Sequence, residues 1–136
     1  MRALLSALVL ISLIAFQACK DSGIVTPVDQ SNINLVSVYS TNASTNGVYV
    51  LPSSLRDYAL IADGTNGLQI VDITIINQPD SVSSYDTDGN ANDVTAAYIN
   101  GDLYAFISDY ANGFVVVDID DPSNPFLIGT ILVTGF

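Results

Sequence analysis

Apolar positions in this chain gather into short runs divided by polar turns, and the runs return at a fixed interval. Tyr58-Ala-Leu-Ile-Ala62 and Leu68-Gln-Ile-Val-Asp-Ile73 are split by the turn Asp63-Gly-Thr-Asn66-Gly67. The same arrangement reappears 46 residues later as Tyr104-Ala-Phe-Ile-Ser-Asp109-Tyr-Ala-Asn112-Gly113-Phe-Val-Val-Val-Asp118-Ile119, with nine of sixteen positions identical. Runs this short and this rich in Val, Ile, Leu, Phe and Tyr predict strands rather than helices. A period of about 40–50 residues made only of strand and turn is the mark of a β-propeller blade.

The 46-residue offset maps about four strands onto each repeat, as a propeller blade needs. Val36–Tyr39, Val82–Tyr85 and Ile128–Ile131 align as one strand seen three times. Gly47–Leu51 aligns with Asp93–Ala97, which Tyr98 and Ile99 extend. Tyr58–Ala62 aligns with Leu103–Ser108, and Leu68–Ile73 with Phe114–Ile119. The last two pairs are nearly all apolar, which predicts strands covered on both faces. Asn66-Gly67 and Asn112-Gly113 predict short hairpins, because Asn and Gly tolerate positive φ. Asp63 and Asp109 open these turns as Asx residues, and Asn100-Gly101 marks a further hairpin.

Leu68-Gln-Ile-Val-Asp72 and Phe114-Val-Val-Val-Asp118, the latter followed by Ile-Asp-Asp-Pro122-Ser-Asn-Pro125, resemble the LVIVD repeat. The resemblance spans about residues 36–136 and implies a propeller-type fold in a secreted or cell-surface bacterial protein. It implies no reaction, since the family has no single activity. Ile75-Ile76 stand where the second copy has Asp-Pro. The expected class is all-β, with blades of about four antiparallel strands. About two blades are present: repeat 1 over 35–80, repeat 2 over 81–126, and the start of a third over 127–136. Two blades cannot close a ring that needs at least four. That shortfall is read as a piece of a longer protein, with self-association through open blade faces and a small open stack as the alternatives.

The N-terminus has a different pattern. Arg2 precedes an almost unbroken apolar run from Ala3 to Phe16, and small residues follow. The run is too short to cross a hydrocarbon core of about 30 Å and reads as a signal peptide over 1–18. Phe16-Gln-Ala-Cys19 resembles the lipobox of bacterial lipoproteins, with Phe in place of the usual Leu. That resemblance implies lipidation of Cys19, the only cysteine. Lys20-Asp21 is similar to a surface-export signal of lipoproteins in Bacteroidetes-like bacteria. Residues 19–34, with Gly, Pro, Ser and Asn and no period, read as a flexible lipid-anchored linker. The expected location is the cell envelope, anchored to the outer membrane and facing the surface.

Charge and composition then narrow the chemistry. The formal net charge is −11, and all fourteen acidic residues are Asp. Such a chain is a poor ligand for nucleic acid, whose binding needs Lys and Arg to neutralise phosphates. It is equally unsuited to anionic lipid, so membrane contact falls to the lipid at Cys19. With no His, neither a Ser-His-Asp nor a Cys-His site can be assembled. The one stretch with oxygen ligands at alternate positions is Asp86, Asp88, Asn90 and Asp93, a pattern suited to Ca²⁺. It lacks the closing Glu and has Ala91 where such loops place Gly, so a polar turn is the simpler reading. No other cofactor is implied. The expected function is a non-catalytic binding or scaffold module for a protein or glycan at the cell surface. The alternatives are a fragment of a glycan hydrolase using carboxylates such as Asp72 and Asp118, or a truncated reading frame without its own function.

Overall fold

The computed structural model describes residues 35–132 apart from Ala111. The signal segment 1–18, Cys19, the linker 19–34 and residues 133–136 lie outside the described residues. Eight strands follow in order: β1 (Gly47–Leu51), β2 (Tyr58–Ala62), β3 (Leu68–Asp72), β4 (Asp80–Tyr85), β5 (Ala91–Ile99), β6 (Asp102–Asp109), β7 (Gly113–Asp118) and β8 (Phe126–Ile131). They form two four-stranded antiparallel sheets, β1-β2-β3-β4 and β5-β6-β7-β8. The chain is therefore all-β, built as two propeller-type blades that do not close a ring. The register repeats with the sequence: Tyr58 lies opposite Asp72 in sheet 1, and Tyr104 opposite Asp118 in sheet 2. Both third strands carry a register shift at the same repeat position, Ile70/Val71 and Val116/Val117.

The phase of the repeat differs from the expected one. Residues 82–85 and 128–131 belong to β4 and β8, the last strand of each sheet rather than the first of the next. The division between blades thus falls between Tyr85 and Ala91, not at 80/81, and the stretch expected to open a third repeat completes the second sheet. A period fixes the spacing of strands but not where one sheet ends. Here the edge of each third strand takes up the strand that follows it. Val36–Tyr39, the remaining copy of that strand, forms none. Among the described residues no third strand precedes it to offer an edge.

Side chains at directly paired positions share a face of a sheet. One face of sheet 1 carries Tyr49, Leu60, Ala62, Leu68 and Ile70. One face of sheet 2 carries Val94, Ala105, Ile107, Val115 and Val117. Buried members of both faces make a single core cluster, with Leu51, Ala91, Leu103 and Ile119 at its margins. Each fully buried Leu or Ile in it contributes on the order of 1.5–3 kcal/mol. A backbone bridge between Gly64 and Ala91 and a bond from Asn46 Nδ2 to the Ala91 carbonyl (2.9 Å) tie the sheets at one end. At the other end Ser83 Oγ donates to the Pro122 carbonyl at 2.6 Å.

The other faces are unequal. Behind sheet 1, Ala59, Ile61 and Val71 are covered by Tyr39 and Ile73. Behind sheet 2, Phe106, Ser108 and Val116 are half-buried, and Phe114 is 46 % exposed. The expectation of cover on both faces therefore holds for β2 but fails for β6 and β7, which alternate buried and part-exposed residues.

Candidate functional site

The strand directions place two kinds of polar site at opposite ends of the sheets. At one end lie the loops 52–57, 73–79 and 119–125 and the Asn100-Gly101 turn. Between them is a cleft of about 360 Å³ lined by Leu51, Leu55, Arg56, Tyr58, Tyr98, Leu103, Asp120 and Pro122, among others. Tyr98 extends from the end of β5 and is exposed, while Tyr58 at the start of β2 is half-buried against the core. Arg56 borders the cleft and donates to Asp72 Oδ2 at 2.7 Å. The mouth thus combines two phenol rings, a guanidinium and the Asp120 carboxylate.

Asp72 and Asp118 end the third strands, as the repeat implies, but their carboxylates hold turns. Asp72 Oδ1 accepts from the Thr74 amide at 2.9 Å, and Asp118 Oδ1 from the Asp120 amide at 3.0 Å. Hydrogen bonds from Thr74, with the Arg56 guanidinium beside it, hold Asp72 below the ordinary carboxylate range against a smaller opposing effect of burial. Asp121 is lowered likewise by its bonds from Ser123. Tyr104, between these loops, is raised, chiefly by desolvation and then by Asp102 and Asp118. A glycosidase acid needs a carboxyl raised towards neutrality. Asp72 is shifted the other way.

At the opposite end stand the Asn-Gly turns and the candidate cation loop. Asp63 and Asp109 are 0 % and 1 % exposed, a burial that their reading as turn-opening Asx residues does not imply. Asp63 is fully engaged: Asn66 Nδ2 donates to Oδ2 at 2.8 Å and Thr45 Oγ1 to Oδ1 at 3.4 Å. Asp109 is held differently. Its Oδ1 accepts from the Asn90 amide at 2.8 Å, and its Oδ2 has no partner. The counterpart of Thr45 is Ala91, and Asn112 Nδ2 turns to the Thr87 carbonyl instead. Two glycines are required here. Gly67 has φ +68°, and a Cβ on it would strike the backbone of Tyr85–Thr87. A Cβ on Gly89 would run into the Asp109 carboxylate.

Of the four proposed Ca²⁺ ligands, in this loop and at the start of β5, two carboxylates bond neighbouring amides. Asp86 Oδ1 accepts from the Asp88 amide, Asp88 has φ 60°, and Asp93 Oδ1 accepts from the Val94 amide. Asn90 meets Asp109 through its backbone. Among the described residues, no group of three or more acidic, His or Cys side chains is placed to hold a metal. The loop reads as the polar clasp of the Asp109 turn.

Fold and site together define an all-β repeat module with turn-holding aspartates at its strand ends. Residues 55–87 and 88–133 each match the LVIVD repeat, and the chain belongs to that family. The second match brackets sheet 2 from its entry loop through β8, in agreement with the observed phase. No curated protein and no solved structure matches the chain.

Proposed function

We propose that this chain is a lipid-anchored envelope protein whose LVIVD blades form a non-catalytic binding module, with the cleft between Tyr58 and Tyr98 as its contact site for a glycan partner. The cleft is the observation that carries this reading. The exposed Tyr98 ring, with the half-buried Tyr58, a guanidinium and a carboxylate beside it, can stack on a sugar face while the polar groups bond its hydroxyls. The non-catalytic character is supported by the engagement of Asp72 and Asp118 in turn hydrogen bonds. The anchor rests on the lipobox-like Phe16-Gln-Ala-Cys19 after an apolar leader. A glycan array probed with the full chain should show saturable binding without turnover, at least tenfold weaker in Tyr98→Ala. Binding unchanged in Tyr98→Ala, or release of reducing ends, rejects the reading. The anchor is tested separately: labelled palmitate should enter the wild-type chain in a bacterial host and not Cys19→Ser.

A further inference from the structure

The two outer faces of the blade pair are complementary to each other, and the repeat shows why. Sheet 2 packs on sheet 1 through Val94, Ala96, Ala105, Ile107, Val115, Val117 and Ile119. The matching positions behind sheet 1 are Val48, Val50, Ala59, Ile61, Gln69, Val71 and Ile73, and five of these seven are identical to their counterparts. The receiving face of sheet 1 has its own counterpart on the open side of sheet 2, where Leu60, Leu68 and Ile70 become Phe106, Phe114 and Val116. We infer that a second copy of this chain docks the back of its sheet 1 onto the open face of sheet 2, head to tail, repeating in trans the packing that joins the two sheets within one chain.

Several further observations fit a second copy better than an unrelated partner. Val48 and Val50 behind sheet 1 are 62 % and 55 % exposed, although Val94 at the Val48 position is buried once a sheet seats on it. Asn46, which spans the seam to Ala91, has an identical counterpart in Asn92, exposed at the matching edge of sheet 2. Exchange of Leu for Phe at two positions of the open face favours an interface, where aromatic residues are enriched. The back of sheet 1 also already accepts sheet-like contacts. Ser37 Oγ donates to the Ile76 carbonyl at 2.7 Å, the bond that Ser83 makes to Pro122 46 residues later. Tyr39 covers Ala59, Ile61 and Val71 from the position equivalent to Tyr85. Residues 35–40 thus stand in for an absent neighbour, and they move aside when the copy's β8 arrives.

A contact between two different faces repeats until it closes. Two to four copies of two blades would give the roughly four to eight blades of a closed propeller. The inference goes beyond the binding role of the cleft and holds whether or not a glycan binds there.

Light scattering of the full chain in mild detergent tests it, with circular dichroism to confirm that each variant keeps its strands. Phe114→Asp spoils the open face and Val50→Asp the back of sheet 1; both side chains are exposed, and Ile131→Asp with Val48→Asp is a second pair. The wild type should run as a discrete species of two to four copies, and each variant alone as a monomer. The two variants mixed should form a one-to-one complex at twice the monomer mass, because each retains the face the other has lost. A monomeric wild type at about 100 µM overturns the inference and leaves the open face to a different partner. So does a mixture that stays monomeric. Association of Val50→Asp alone, with Phe114→Asp monomeric, overturns it in favour of pairing between two open faces.

Discussion

Sheet 1 and sheet 2 repeat one strand pattern, with nine of sixteen positions identical across their central hairpins, yet among the described residues one is covered on both sides and the other on one. Leu68 is fully buried between the sheets, whereas Phe114, 46 residues later and in the same register position, is nearly half exposed. The difference lies in the neighbours. Sheet 1 has sheet 2 in front and residues 35–40 behind; among the described residues sheet 2 has only sheet 1. Equal local sequence therefore gives equal strands and turns, while burial, and with it most of the stability, depends on what lies against each face.

The largest effect should separate those two positions. Leu68→Ala empties a closed core site and should cost about 2–5 kcal/mol. Phe114→Ala removes a half-exposed ring and should cost less than about 1 kcal/mol in the monomer. Urea unfolding at low protein concentration measures both. Equal costs would mean that the two faces are not differently covered.

A smaller contrast is expected at the buried aspartates. Asp63→Ala strands the part-buried Asn66 amide and should destabilise by about 1–3 kcal/mol. Asp109→Asn keeps the Oδ1 acceptor for Asn90 and alters only an oxygen that has no partner among the described residues. It should change stability by less than about 1 kcal/mol, read as a change in Tm. Matching losses at both sites would deny that the two turns are held differently.

The smallest effect is in pH. Because Asp72 is lowered in the folded chain, its stabilising contribution is present above the ordinary aspartate value of about 4 and is lost as the pH falls below it. In wild type, protection of the 72–74 turn should weaken on acidification through that window, and in Asp72→Asn it should be flat. Amide exchange of Thr74, whose N–H is bonded to Asp72, reports this directly.

Much of this architecture was legible in the sequence, and its gaps have physical causes. β1 and β2 fall on their expected residues, and the other strands within two or three. The Asn-Gly turns lie where the repeat puts them, because apolar runs and turn residues act locally. The phase was not legible, since one repeat position makes no strand at 36–39 but the fourth strand of a sheet at 82–85 and at 128–131. Only the presence of an adjacent third strand decides among these. The cleft was also missed: Tyr98 ends β5 and Arg56 lies in the loop between β1 and β2, and nothing local links them. Burial of Asp63 and Asp109 could have been suspected from their recurrence between two apolar runs. The acidic stretch at 86–93 stands out by composition, while its Asp86 and Asp93 carboxylates bond the backbone beside them.

Hydrogen–deuterium exchange across residues 35–132 tests the central claim most directly, because it reports which strands are paired and which face has a neighbour. Residues 126–131 should be protected together with 113–118 as the closing strand of sheet 2, while 36–39 exchange quickly despite their strand-like sequence. Rapid exchange at 126–131 together with strong protection at 36–39 would contradict the blade phase and the unequal faces that follow from it.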